Sequence, residues 1–508
     1  MKNKGNRKNL IIKNSTVGLF SQVITLIFTF VTRNLFIKYI GIELLGLNST
    51  LASVLSTLSL AELGFQSAIV YNLYQPIHDN NYEEINSIIN ILKIIYRGIG
   101  IFFIVAALAV TPFLKYIVKG IEVDFQIYVF FWLQAAASTC TYFLAYKRAI
   151  LFADQKDYIS KTIDLIFNIV FNVIICITLI VYKSYFLYLV LKIIQTYLSN
   201  IIVHFYCTIN YPFLKKGKID FTRLKMIWNN VKDIFSGRIA SFVYSSTDNL
   251  VISTFVSTVS VGFLVNYTTV FNSLKTLTSS VLSPIIPILG NYLIEEEDNN
   301  SRENLFKTYT FVRYIIALVV VIPSIILINS FITMWIGGSM ILEPVIIILL
   351  GCDFYIHLVH SATCDFINGA GLFKSDKYIE IIGALCNIVT SIILVQFCGI
   401  KGVLIGTIIS QVILWIGRSL IVYRECLKLG GNRYVHYWID NIIYLFIAVI
   451  LVVVLNKCYM VLPIKNIILR FIVGGIICEL CIGLAVLFIF RRTKELRFII
   501  KFIKRKKV

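Results

Sequence analysis

The chain has 508 residues, 58% of them hydrophobic, and a mean hydropathy of +0.82. A soluble protein averages about 45–50% apolar residues, so this composition excludes a water-soluble globular fold and implies an all-α polytopic membrane protein. The net charge of +20 would suggest nucleic acid in a soluble chain, but here the basic residues gather in loops and tails beside apolar runs, where they orient a protein in the bilayer.

The opening segment MKNKGNRKNLIIK is basic and leads straight into the first apolar run, without the short apolar core and small-residue site of a cleavable signal. Fourteen runs of membrane-crossing length, about 20 residues, are expected near 17–37, 44–70, 88–112, 124–146, 159–182, 185–207, 234–257, 262–289, 308–332, 341–364, 377–398, 402–422, 438–457 and 466–490. The first two form a hairpin through the short linker Lys38–Glu43. Arg33 lies toward the end of the first run and Glu62 inside the second. A charge at the centre of a membrane helix costs roughly 2.5–3.5 kcal/mol, so such residues face a cavity or a partner rather than lipid.

The hairpin recurs between about Ile234 and Leu293. Arg33-Asn34-Leu35 matches Asp248-Asn249-Leu250, and Gly46 matches Gly262. Leu151-Phe152 leading to Tyr158-Ile159 matches Leu372-Phe373 leading to Tyr378-Ile379, and Asn172 matches Asn387. The shared order divides the chain into a six-helix lobe (1–209), a linker (210–232), a second six-helix lobe (233–424), two extra helices (425–490) and a basic tail (491–508). Transporters are often built from such repeats, with substrate between the halves.

In the linker, Phe221, Leu224, Ile227 and Trp228 recur at helical spacing among basic residues, the pattern of a helix lying on the membrane surface. Segments on the side of the N-terminus hold about thirty Lys and Arg against about seven on the other, which places both termini in the cytoplasm. The tail, RRTKELRFIIKFIKRKKV, alternates basic and apolar residues and belongs on an anionic inner leaflet.

The membrane-embedded ionisable residues carry the functional signal. Arg33, Glu62, Asp248 and Lys275 occupy equivalent hairpins, which expects them around one cavity; pairing of helix against helix, Arg33 with Glu62 for instance, is the structural alternative. Arg97, Lys192, Arg238 and Arg418 lie close enough to span ends for long side chains to snorkel. Arginine offers a fork of donors that suits phosphate oxygens, whereas a buried carboxylate suits Na+ or H+ and can couple transport to the membrane potential. Asp353, His357, His360 and Cys364 fall on one helical face. That row resembles zinc ligands, but one straight helix cannot surround a metal tetrahedrally, so a polar stripe or a packed polar contact is expected. Neither the GxxxxGK[ST] loop nor HExxH occurs, so no enzyme is expected and no cofactor beyond a coupling ion.

Several stretches together resemble the Wzx-type polysaccharide flippases of the multidrug/oligosaccharidyl-lipid/polysaccharide (MOP) superfamily. They are Tyr39-Ile-Gly-Ile-Glu-Leu-Leu-Gly-Leu47, Leu60-Ala-Glu-Leu-Gly64, Tyr71-Asn-Leu-Tyr-Gln-Pro76, Asp248-Asn-Leu-Val-Ile-Ser253, Trp335-Ile-Gly337 and Cys398-Gly-Ile-Lys-Gly-Val-Leu-Ile-Gly-Thr407. The resemblance covers nearly the whole chain. It implies transport of undecaprenyl-diphosphate-linked oligosaccharide across the bacterial cytoplasmic membrane for capsule, O-antigen or exopolysaccharide synthesis. It also implies two rocking lobes around a cationic cavity lined by the first, second, seventh and eighth spans, which hold Arg33, Glu62, Asp248 and Lys275. Some members couple to Na+ or H+ through acids of the second lobe, a part that Asp248, Glu380 and Asn387 match here. The implied partners are the lipid bilayer, the lipid-linked substrate, and a polymerase with its chain-length machinery. Teichoic or teichuronic acid precursors, the peptidoglycan lipid precursor, a cation-coupled drug exporter and a multi-span polymerase stay open as alternatives.

Overall fold

The computed structural model describes residues 4–59, 72–73, 75–77, 79–214, 247–283 and 285–497. Side-chain placement is described for fewer of them near the N-terminus. Glu62, Arg238, most of the 210–232 linker and the tail beyond residue 497 lie outside the described residues.

All regular structure among the described residues is helical. We number the main helices α1 (Lys4–Tyr39), α2 (Ile42–Leu58), α3 (Tyr82–Val110), α4 (Phe125–Leu144), α5 (Asp157–Val181), α6 (Tyr185–Asn210), α7 (247–255) and α8 (Thr258–Leu282). There follow α9 (Ile285–Glu295), α10 (Asn299–Ile336), α11 (Pro344–Ala370), α12 (Phe373–Cys398), α13 (Ile400–Ile421), α14 (Asn432–Val461) and α15 (Ile467–Phe490). Eleven stretches among the described residues are long and apolar enough to cross a membrane. The rest of the fourteen expected runs fall on the shorter α2, on α8 with α9, and on the partly described run that holds α7. The protein is thus an all-α polytopic membrane protein.

Local chemistry marks the helix ends. The side chains of Asn81, Asp124, Ser184, Asp298 and Asn466 accept hydrogen bonds from the first free N–H groups of α3, α4, α6, α10 and α15, groups that have no partner within the helix. At the other end, α11 stops at Gly371 with φ 70°, a left-handed turn that suits glycine.

The chain divides into two compact units, Met1–Gly262 and Phe263–Val508. In the first, α1 packs on α5, α4 on α6 and α3, and α5 on α6. Thr32 of α1 donates to Asn172 of α5 at 3.4 Å. At the crossing of α2 with the first turn of α8, a Cβ added to Gly46 would meet the carbonyl of Thr258, and one added to Gly262 would meet the carbonyl of Ile42. The two repeat-related glycines therefore let one backbone touch another, as small residues do at membrane helix crossings.

In the second unit α11 and α13 are the innermost spans, with about half of each apolar window buried, whereas α14 and α15 are peripheral. In α15, Gly474, Cys478, Ile482, Val486 and Phe490 turn inward at every fourth position, while Leu469, Ile472, Ile476, Leu480 and Leu487 are exposed. An apolar face turned outward is what lipid solvates. Cys478 and Cys481, spaced as CxxC, are free, as are the other nine cysteines.

Candidate functional site

The first unit holds an open chamber of about 410 Å3 between α2, α4 and α6, with polar groups set among apolar ones such as Leu55, Leu133 and Leu189. Small-molecule sites span about 300–1,000 Å3. One wall brings Asn48 and Ser56 from α2, another Gln134, Ser138 and Thr141 from α4, the third Tyr188 and Lys192 from α6. Three of the polar groups fix one another. Gln134 Nε2 donates to Asn48 Oδ1 at 3.2 Å and to the Tyr185 hydroxyl at 2.9 Å, and that hydroxyl donates to Asn48 Oδ1 at 3.1 Å. Their mutual bonds hold the amides in place before any ligand arrives, and the serine and threonine hydroxyls add donors and acceptors of the kind that a sugar's hydroxyls require.

Lys192 gives the chamber its charge. It lies seven residues into α6, about 10 Å along the helix, between Leu191 and Ile193. Its ammonium donates to Gln195 Oε1 at 3.4 Å, and among the described lining residues there is no carboxylate. From sequence this lysine is expected to snorkel; the fold turns it into a cavity instead. Arg33 reaches the same region from α1. It interacts with Tyr188, one turn before Phe36, whose ring meets Tyr185 and Tyr188 edge-on at 5.6 and 5.2 Å. Arg33 thus lies near Tyr188, which lines the chamber, while Arg33 itself is not among the described lining residues.

Asp248 is half-buried in α7. Its neighbours tie α7 down: Asn249 Nδ2 donates to Ser53 Oγ of α2 at 3.2 Å, and Ser253 Oγ to the carbonyl of Ile117 at 2.8 Å. Of the four residues expected around one cavity, Arg33 and Asp248 belong to the first unit, Lys275 to the second, and Glu62 lies outside the described residues.

Lys275 is not an unpaired cation. Its Nζ lies 2.6 Å from Asp353 Oδ2, with side chains 21% and 14% exposed. The other oxygen of Asp353 accepts from Gln411 Nε2. Gln411 stands one turn after Thr407, whose hydroxyl accepts from Asn387 Nδ2 at 3.1 Å. A polar seam therefore crosses the second unit from α12 through α13 and α11 to α8, and it contains two of the expected site residues, Asn387 and Lys275.

Glu380 sits in a different cluster. Arg418 donates to Glu380 Oε1 at 2.7 Å and to both oxygens of Asp376 at 2.6 and 2.9 Å. Its remaining nitrogen approaches Cys364 Sγ at 3.2 Å. Far from snorkelling, Arg418 is clamped between two carboxylates that share one guanidinium. A third group joins Asp365 to Arg313 and to the Tyr309 hydroxyl. The row Asp353, His357, His360, Cys364 is thereby shared among separate partners: Asp353 turns to Lys275, His360 to Cys364 at 3.8 Å, and Cys364 to Arg418. It works as the polar face on which α11 packs.

No protein-family model matches the chain. An uncharacterized membrane protein of Methanocaldococcus jannaschii is 27% identical over 413 residues, which span 78% of this chain and 92% of that protein. Among solved structures, the lipid II flippase MurJ in an inward closed conformation superposes with a TM-score of 0.70 at 15% identity, over 95% of this chain and 99% of MurJ. An inward-facing multidrug resistance transporter of the MATE family superposes with a TM-score of 0.60 at 14% identity, over 82% of this chain and 99% of the transporter. A MATE transporter of Vibrio cholerae gives 0.55 at 13% identity, over 83% and 98%. Identities this low speak for architecture, and the architecture of this chain is the fold common to MurJ and the MATE transporters of the MOP superfamily.

Proposed function

We propose that the protein is a flippase that carries undecaprenyl-diphosphate-linked oligosaccharide from the inner to the outer leaflet of the bacterial cytoplasmic membrane by alternating access, for capsule, O-antigen or exopolysaccharide synthesis. The observation that carries this reading is the chamber of the first unit, whose described lining combines a membrane-depth lysine with amides, hydroxyls and tyrosine and has no carboxylate. A lipid-linked sugar has a polar head that cannot cross hydrocarbon and a tail that need not leave it. Lys192, with Arg33 close to the lining residue Tyr188, replaces the water that a diphosphate loses on entering, and the amide and hydroxyl groups do the same for sugar hydroxyls. A drug and cation exporter would want an acid in that place. Both termini lie in the cytoplasm on this reading, and the product passes to a polymerase with its chain-length partners.

The coupling ion, Na+ or H+, falls to Asp248, Glu380 and Asn387. Glu380 and Asn387 stand on one helix of the second unit, α12, and Asp248 on α7 of the first. The likeness to MurJ, a lipid II flippase, favours a second reading, in which the lipid carries the peptidoglycan precursor. Deleting the gene and replacing it with Arg33→Ala or Lys192→Met separates these readings in the native host. A well-expressed variant should abolish surface polysaccharide while growth continues. Normal polysaccharide would contradict the proposal, and cell lysis with normal polysaccharide would favour the peptidoglycan precursor.

A further inference from the structure

The amide network of the chamber leaves one donor group and one acceptor open. Gln134 Nε2 donates to Asn48 Oδ1 and to the Tyr185 hydroxyl, and that hydroxyl donates to Asn48 Oδ1. A carboxamide carries two N–H donors and a carbonyl acceptor. Among the described residues no hydrogen bond reaches Gln134 Oε1 or leaves Asn48 Nδ2, and both side chains line the chamber. Turning both amides over would exchange the two roles and still leave one donor and one acceptor. Tyr185 is 4% exposed and stands behind the described lining. Its hydroxyl holds both amides, and its ring meets Phe36 and Phe130 edge-on at 5.6 and 4.6 Å.

The next turn of each helix is small and apolar. Ala52 follows Asn48 by four residues on α2, and Ala137 follows Gln134 by three on α4. Those spacings put each alanine on the face of its amide, and both alanines line the chamber together with Leu55 and Leu133. A fixed N–H group, a fixed carbonyl and an apolar recess beside them complement a secondary amide that carries a methyl group. The ligand's N–H donates to Gln134 Oε1, its carbonyl accepts from Asn48 Nδ2, and its methyl lies against the alanines. A hydroxyl can bond to an amide but brings neither the planar group nor the methyl. We infer that Asn48 and Gln134 read the acetamido group of an N-acetylated sugar, with Tyr185 as a positioning residue. This rests on the proposed transport of a lipid-linked oligosaccharide and narrows its substrate class. Tyr185 stands seven residues before Lys192 on α6, about 10 Å along the helix, so the sugar read is the one joined to the diphosphate.

The test measures the affinity of the full-length protein in detergent for three probes. They are a polyprenyl diphosphate without sugar, the same lipid carrying one glucose, and the same lipid carrying one N-acetylglucosamine. The parent should bind the N-acetylglucosamine lipid about tenfold more tightly than the glucose lipid, the effect of two net hydrogen bonds. Tyr185→Phe keeps the ring and removes only the hydroxyl, so it loosens the amides and should lower that ratio to about threefold. Gln134→Met removes the acceptor and should lower it to about twofold or less. Equal or weaker binding of the N-acetylglucosamine lipid by the parent would overturn the inference and leave the lipid-linked reading standing, because both sugar lipids still bind. Failure of the parent to bind any of the three diphosphates would overturn that reading and this inference with it. A parental ratio in both variants would also overturn it, by placing the acetamido group elsewhere. The comparison on the parent needs no variant, so it decides even where a substitution prevents folding.

Discussion

Replacing Lys275 alone should harm the protein far more than replacing Lys275 and Asp353 together. The pair is 2.6 Å apart and both side chains are less than a quarter exposed. Lys275→Met strands the Asp353 carboxylate inside the second unit with the Gln411 amide as its remaining donor. Breaking one side of a buried pair costs about 3–5 kcal/mol, and residual exposure brings the figure here to about 2–4 kcal/mol. Lys275→Met combined with Asp353→Leu removes both charges and should return to within about 1 kcal/mol of the parent. Denaturant unfolding in detergent, followed by circular dichroism on parent, both singles and the double, gives the coupling energy directly. A loss below about 1 kcal/mol for Lys275→Met, or a double variant no better than the single, would refute the assignment of Lys275 to the polar seam.

Other consequences are as direct. Lys192→Met should leave stability unchanged or improved, because it removes a membrane-depth charge whose described partner is the neutral Gln195, yet abolish transport; loss of folding would contradict the chamber assignment. Leucine at Gly46 should destabilise by about 1–3 kcal/mol through overpacking, because its Cβ would press on the Thr258 carbonyl, whereas leucine at the open Gly98 should cost far less on the same unfolding curve. The Asp298 carboxyl is held below its ordinary value of 3.8, chiefly by the Ser301 hydroxyl and then by backbone N–H groups of the first turn of α10. A depressed carboxyl stabilises the folded state above its unfolded pKa and loses that contribution as pH falls through the folded one. Protection of the amides in the first turn of α10, measured relative to their intrinsic exchange, should therefore fall only below about pH 4, and Asp298→Asn should remove that loss of protection.

The helical architecture is legible in the sequence because its signal is long-range and redundant. A membrane run needs about 20 apolar residues, and α10 or α15 could not be read otherwise. The polar positions are legible as polar, not as partners. Lys275 and Asp353 are 78 residues apart in sequence, and nothing in either helix alone says that they meet. Asp376 gives no signal of its own because it sits in the first turn of α12, where an acid has a ready explanation at a helix N-terminus; its role appears only with Arg418 opposite. Lys192 misleads for a similar reason. Its place near a span end suits snorkelling, and only the packing of α2 and α4 against α6 shows the chamber. The repeat is more informative than its short matches suggest, since Gly46 and Gly262, paired by sequence order, meet at one helix crossing.

Translocation in proteoliposomes tests the central claim most directly. Purified protein is reconstituted with a fluorescent undecaprenyl-diphosphate oligosaccharide, and the fraction of label reached by a membrane-impermeant quencher is followed over time. Parent protein should exchange the lipid between leaflets within the assay, and Lys192→Met, equally folded and equally reconstituted, should match protein-free vesicles. Exchange by Lys192→Met at the parental rate, or none by the parent under an imposed Na+ or H+ gradient, would contradict the account.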